Sequence, residues 1–164
     1  MNEIPALDLA QLLRLLVDEG VEFIIIGGVA AILHGSARLT LDVDIVYRRT
    51  TENIVRLAES LQKYHPYLRG APPNLPFRWD AATITAGLNF TLITDLGNLD
   101  VLGEIVGGGS YDQLLPYSHP INAFGIQCLC LDLDKLIYVK RAAGRPKDLE
   151  AIAELELLLA RRKS

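Results

Sequence analysis

Little in this chain of 164 residues points to a membrane, an oxidising compartment or a broad nucleic-acid surface. No apolar run reaches the roughly 18 residues that a spanning helix needs. The acidic opening MNEIPALD does not read as a signal peptide. Only two cysteines occur, Cys128 and Cys130, alternating on an expected strand. They stand too close for an easy disulfide and read as reduced, buried thiols, which makes the cytoplasm the expected location. Basic charge is in deficit, with 16 Lys and Arg against 20 Asp and Glu, a net charge of −4 and a pI near 5.3. That balance argues against non-specific duplex binding, while a nucleic-acid end at a local basic patch stays open. The histidines His34, His65 and His119 lack metal-ligand spacing, and no Ser-His-Asp arrangement emerges. Gly107-Gly108-Gly109-Ser110 is not followed by the Lys-Ser/Thr and helix of a phosphate loop.

What is present is an apolar chain, 50% hydrophobic with mean hydropathy +0.24, expected to form one globular domain over residues 1–164. Its centre is IIIGGVAAILHGSARLTLDVDIV, residues 24–46. Ile24, Ile25 and Ile26 are β-branched and read as a strand buried on both faces. Gly27 and Gly28 follow, where the backbone turns and a ligand can come close because no Cβ intervenes. Val29 to Leu33 is expected as a short helix whose free N–H groups suit a phosphate. His34 ends it, as a cap or as a contact to phosphate or acceptor. The next strand, Thr40 to Tyr47, carries Asp42 and Asp44. The period of two sends both carboxylates to one face, about 6.5–7 Å apart at Cα. Two acids on one face of an apolar strand repel each other unless a cation sits between them. Mg²⁺ on substrate phosphates is the natural candidate.

Around this centre an amphipathic helix is expected at Asp8 to Asp18, and another after an N-cap at Thr50 or Thr51. Residues 64–82 carry Pro66, Pro72, Pro73 and Pro76 among Arg69, Phe77, Arg78 and Trp79. This irregular stretch is expected either to contact substrate or to pack as a surface loop anchored by Trp79. Strands are expected at Ala82 to Thr85, an edge strand, then at Asn89 to Ile93 and Leu99 to Leu102. Asp100 repeats the apolar-Asp-apolar pattern, either joining the first two acids or facing solvent. A hairpin is expected around Gly125, then helices from Leu133 to Ala143 and from Pro146 to Arg161, the pair (132–162) packing on the core. Lys140 and Asp148 both fall in apolar stripes. Either Lys140 snorkels and Asp148 complements its helix N-terminus, or both line the cleft. The fold class is α/β, a small mixed sheet of about five strands with helices on one side.

The glycine pair, the short helix and Asp42-Val43-Asp44-Ile45, with thirteen residues between Gly28 and Asp42, resemble the DNA polymerase β-like nucleotidyltransferase superfamily. The approach Arg38, Thr40, Asp42, Asp44 and the stretch from Lys140 to Asp148 look most like its small AbiEii-type and minimal bacterial members. The resemblance implies a metal-dependent transfer of a nucleotidyl group from an NTP to an acceptor hydroxyl, with pyrophosphate released. Asp42, Asp44 and Asp100 would hold two Mg²⁺ or Mn²⁺ ions and carry the catalysis. Gly27, Gly28, Arg38, Thr40, Lys140 and Asp148 would form the nucleotide site, Arg38 either orienting the aspartate strand or touching phosphate. The acceptor is a tRNA 3′ end, a protein hydroxyl or a small molecule such as an aminoglycoside. A toxin–antitoxin setting with a small protein partner is also implied. The alternative is a non-catalytic nucleotide-binding or partner-binding module, as an antitoxin would be.

Overall fold

The computed structural model describes residues 8–163. Residues 1–7, within the opening judged not to be a signal peptide, lie outside them. In chain order the elements are α1 (Leu9–Asp18), β1 (Phe23–Ile26), α2 (Gly27–Leu33), β2 (Asp42–Tyr47), α3 (Thr51–Leu61), β3 (Tyr67–Leu68), α4 (Ala81–Ala86), β4 (Phe90–Thr94) and β5 (Gly97–Leu102). Two short strands follow, β6 (Glu104–Ile105) and β7 (Gly109–Ser110). The rest is α5 (Tyr111–Leu114), β8 (Ser118–Ala123), β9 (Ile126–Leu131), α6 (Leu133–Ala143) and α7 (Pro146–Lys163). No helix among the described residues is long and apolar enough to cross a membrane.

The local signals explain most of these elements. Asp8 caps α1 by accepting from Gln11 N at 3.0 Å, and Leu12, Leu13 and Leu16 are fully buried along one side. Thr50 caps α3 through Asn53 N at 3.3 Å. Asn53 is itself buried and bonds Glu22 N, Glu22 O and Arg48 O, which pins α3 to the ends of β1 and β2. Residues 82–85, expected as an edge strand, lie instead in α4. Asp80 accepts from Thr83 N at 2.8 Å, and Ile84 is turned into the core. A four-residue alternation is too short a signal to outweigh a capped turn.

The main sheet is mixed and has seven strands, in the order β3-β4-β5-β2-β1-β9-β8, where about five were expected. The two-residue β3 had no signal in the sequence, whereas the expected hairpin around Gly125 joins the sheet as β8 and β9 and pairs along its full length. β2 runs parallel to β5, and β1 parallel to β9; the other neighbours are antiparallel. β6 and β7 form a small separate ribbon.

Register divides the sheet into two unlike faces. On one, Val43, Leu99 and Leu92 form a row across β2, β5 and β4, and Ile45, Val101 and Phe90 form the next. All six are buried and belong to a core completed by leucines of α1 and α3 and by Ile84 of α4. On the other face the corresponding rows are Asp44, Asp100 and Thr91, and Asp42 and Asn98. Residues of α2, α6 and α7 gather over this second face, so helices lie against both sides of the sheet, not one. The core requires a cover of its own, and the polar face recruits a second set to wall its cleft.

Candidate active site

The polar face opens into a cleft of about 530 Å³. The residues assigned to the acid and nucleotide sites from sequence all line it: Gly27, Gly28, Arg38, Thr40, Asp42, Asp44, Asp100, Lys140 and Asp148. Gly27 and Asp148 stand 121 positions apart, and parallel pairing of β2 with β5 brings Asp44 and Asp100 into register.

Asp44 is the most perturbed of them. Its Oδ1 is buried with no hydrogen-bond partner. Burial pushes its carboxyl up to about 8, helped by a bond to Asp100 and by the charges of Asp100 and Asp42, while Lys147 opposes the shift. Two ionised carboxylates can only repel here, so either a shared proton or a cation must lie between them. Asp42 accepts from Asn98 Nδ2 at 3.1 Å. Asp100 accepts from Arg69 Nη2 at 2.6 Å, and Arg69 Nη1 lies 3.6 Å from Asp42.

The glycines serve the acids more directly than expected. Gly27 has φ +69°, and a Cβ on it would stand 2.8 Å from the Asp44 carboxyl carbon. A Cβ on Gly28 would meet Thr40 Oγ1 at 2.8 Å. Thr40 in turn donates to Asp42 O at 3.1 Å. The room freed by the missing side chains is therefore taken by Asp44 and Thr40, and α2 begins at Gly27 itself, two residues earlier than expected.

Lys140 and Asp148 reach the cleft from α6 and α7. Asp148 is buried and accepts from Arg145 Nε at 2.7 Å and Nη2 at 3.2 Å, with Lys140 Nζ 4.0 Å away. Burial draws the Lys140 ammonium below the usual lysine range, against the attraction of Asp148 and Asp44. Arg145 is raised by its bond to Asp148. Arg38 pairs with Glu150 of α7 at 3.4 Å, which ties the loop before β2 to that helix.

Other candidates fall elsewhere. His34 caps α2, donates from Nε2 to Leu131 O at 2.7 Å and is not among the cleft residues. Burial, the largest influence on it, lowers the pKa of its ring. Cys128 and Cys130 are free and buried, with the Cys130 thiol pushed up to about 12 by burial first. Arg69 is the residue that sequence reasoning did not place. It lay in the irregular 64–82 stretch, where no periodicity assigns a side chain to a face. Trp79 of that stretch packs edge-on against Phe90, as an anchor would.

The donor set is hard oxygen throughout, and the buried, unpartnered Asp44 Oδ1 is what a divalent cation would satisfy. Asp42, Asp44 and Asp100 therefore fit Mg²⁺ or Mn²⁺ in chemistry. Among the described residues, however, no three acids, histidines or cysteines already converge as a metal cage.

This architecture is a nucleotidyltransferase-like fold. The chain is similar to the lincosamide antibiotic adenylyltransferase LnuA, solved with lincomycin bound, with TM-score 0.62 and 15% identity over 96% of this chain and 99% of that one. It is also similar to a Thermotoga maritima protein assigned as a nucleotidyltransferase, with TM-score 0.50 and 16% identity over 92% of each chain. No family model matches the sequence, and no curated protein matches it.

Proposed function

We propose that the chain is a nucleotidyltransferase that moves a nucleotidyl group from an NTP to the hydroxyl of an acceptor. The observation that carries this reading is the row of Asp44 and Asp100 beside Asp42, with a buried Asp44 oxygen that has no donor. Asp42 and Asp44 would hold a divalent cation, Mg²⁺ or Mn²⁺, which when bound neutralises the triphosphate and polarises the reacting phosphate. Lys140, Arg145 and Lys147, all lining the cleft, supply positive charge for the β- and γ-phosphates. The backbone of Gly27 and Gly28, also in the cleft lining, would cradle those phosphates. Asp100 would accept the proton that the attacking hydroxyl gives up as the new P–O bond forms and pyrophosphate leaves.

The acceptor end of the cleft lies beyond β5, where Thr91, Leu102, Ile105 and Val106 line it together with Glu104. Three apolar side chains beside Asn89, Thr91 and one acid suit a small hydroxylic molecule better than a nucleic-acid end, whose phosphates that acid would repel. The likeness to an enzyme solved with lincomycin supports the same choice. The AbiEii-type branch rests on Arg38, Thr40 and the stretch from Lys140 to Asp148. A toxin–antitoxin setting is tested by co-purification with the product of a neighbouring gene.

The deciding experiment supplies α-labelled NTPs with panels of small hydroxylic compounds, tRNA and protein, and measures pyrophosphate release. Label should pass to an acceptor in the wild type and not in Asp44→Asn. Failure to bind any NTP would remove the reading.

A further inference from the structure

Arg69 belongs to none of the motifs above, yet its guanidinium bridges two of the three acids. The sheet holds it there. Just past β3, its backbone N–H donates to Thr91 O at 2.9 Å and its Nη1 to Leu92 O at 3.3 Å. Thr91 is the register partner of Asp100, and Asp100 that of Asp44. Arg69, Asp100 and Asp44 therefore follow one line across the polar face, with Asp100 between the guanidinium and the second carboxylate. Nη2 stands 2.6 Å from Asp100 Oδ1, and Nη1 3.6 Å from Asp42 Oδ1.

All three side chains of this bridge are more than two-thirds buried. A planar fork with partly desolvated carboxylates is a strong and directional partner. Dislodging it would strand charges in a sheltered place. Arg69 and one divalent ion together balance the three carboxylates. A second divalent ion at Asp100 would have to break the Arg69 bond, and before nucleotide binds it would leave the row with excess positive charge.

We propose that Arg69 takes the place of a second metal ion, so that the cleft works with one divalent cation at Asp42 and Asp44 and a fixed guanidinium that positions Asp100. This rests on the nucleotidyl-transfer reading and alters its metal count. The resemblance noted from sequence implies two ions; the bridge argues for one.

The test counts Mn²⁺ bound by the full chain without nucleotide, from the electron paramagnetic resonance signal of the free ion. Wild type should bind one Mn²⁺ per chain, and Arg69→Gln should bind two, because Asp100 and Asp42 are released. Arg69→Lys retains the charge and should stay at one. Two ions in the wild type, or one in a folded Arg69→Gln, would overturn the proposal while leaving nucleotidyl transfer intact. No Mn²⁺ bound by the wild type would overturn both this proposal and the metal dependence. Should Arg69→Gln not fold, the counts for wild type and Arg69→Lys still decide, since two ions in either refute it.

Discussion

Gly27 and Asp44 occupy each other's space. The Asp44 carboxylate lies where a Gly27 side chain would begin, and the register pair Ile26 with Asp44 fixes that proximity across β1 and β2. Gly27→Ala should therefore do two things at once. A left-handed alanine costs about 1–3 kcal/mol, and the displaced Asp44 should lose its hold on a cation. Urea unfolding and Mn²⁺ titration measure the two effects. If the clash is the dominant cause, Asp44→Gly in the Gly27→Ala background should restore part of the stability, a coupling that a double-mutant cycle reads directly.

Asp44 should also govern how stability depends on pH. Its carboxyl titrates near 8 in the fold against an ordinary 3.8, so between these values the folded chain holds a proton that the unfolded chain has lost. Its contribution is complete below about 3.8 and is lost as pH rises through 8. In EDTA, the melting temperature of the wild type should fall across pH 5–9, on the order of a few degrees per kcal/mol. Asp44→Asn should flatten that slope and melt higher than the wild type at pH 9. Added Mg²⁺ should flatten it in the wild type alone. Parallel pH curves for the two proteins in EDTA would contradict the assignment.

Lys140→Met keeps the aliphatic stem and deletes the ammonium. Loss of a charge-assisted contact to phosphate should weaken NTP binding about 10- to 100-fold, with a smaller effect on the NMP. Calorimetric titration with both nucleotides checks this. Equal losses for NTP and NMP would place Lys140 away from the β- and γ-phosphates.

Asp148 has the opposite character, a structural anion whose removal exposes its partners. Arg145 and Lys140 both face it, and its side chain is 3% exposed. Asp148→Ala should destabilise the chain by about 3–5 kcal/mol, the scale of a broken buried pair. Adding Lys140→Met to Asp148→Ala should recover part of that loss, because the stranded ammonium is gone. Denaturation of the single and double variants provides the check.

The elements with long periodic signals were legible from sequence: α1, α3, α6, α7 and the β8–β9 hairpin all stand close to their expected bounds. Strand alternation put Asp42 and Asp44 on one face. For Asp100, Lys140 and Asp148 alternation and helical phase left two placements open, between which the family resemblance chose the cleft that all five line. Arg69 was not legible. Its position depends on two residues of β3 pairing with β4, a contact too short to leave a period. Residues 82–85 misled because alternation over so few positions is also compatible with one turn of helix. The true function of the glycine gap was hidden for a different reason. What fills it is a side chain about seventeen positions away, and only the β1–β2 register reveals the neighbour.

The two unlike faces of the sheet give activity a diagnostic meaning. Val43 and Ile45 alternate with Asp42 and Asp44, so a one-residue slip of β2 would carry acids into the core and core residues into the cleft. No intermediate arrangement keeps either face intact. For variants of β2 and its neighbours, surviving cation affinity thus serves as a register gauge, reporting at once on how the strands are threaded and on the chemistry they carry.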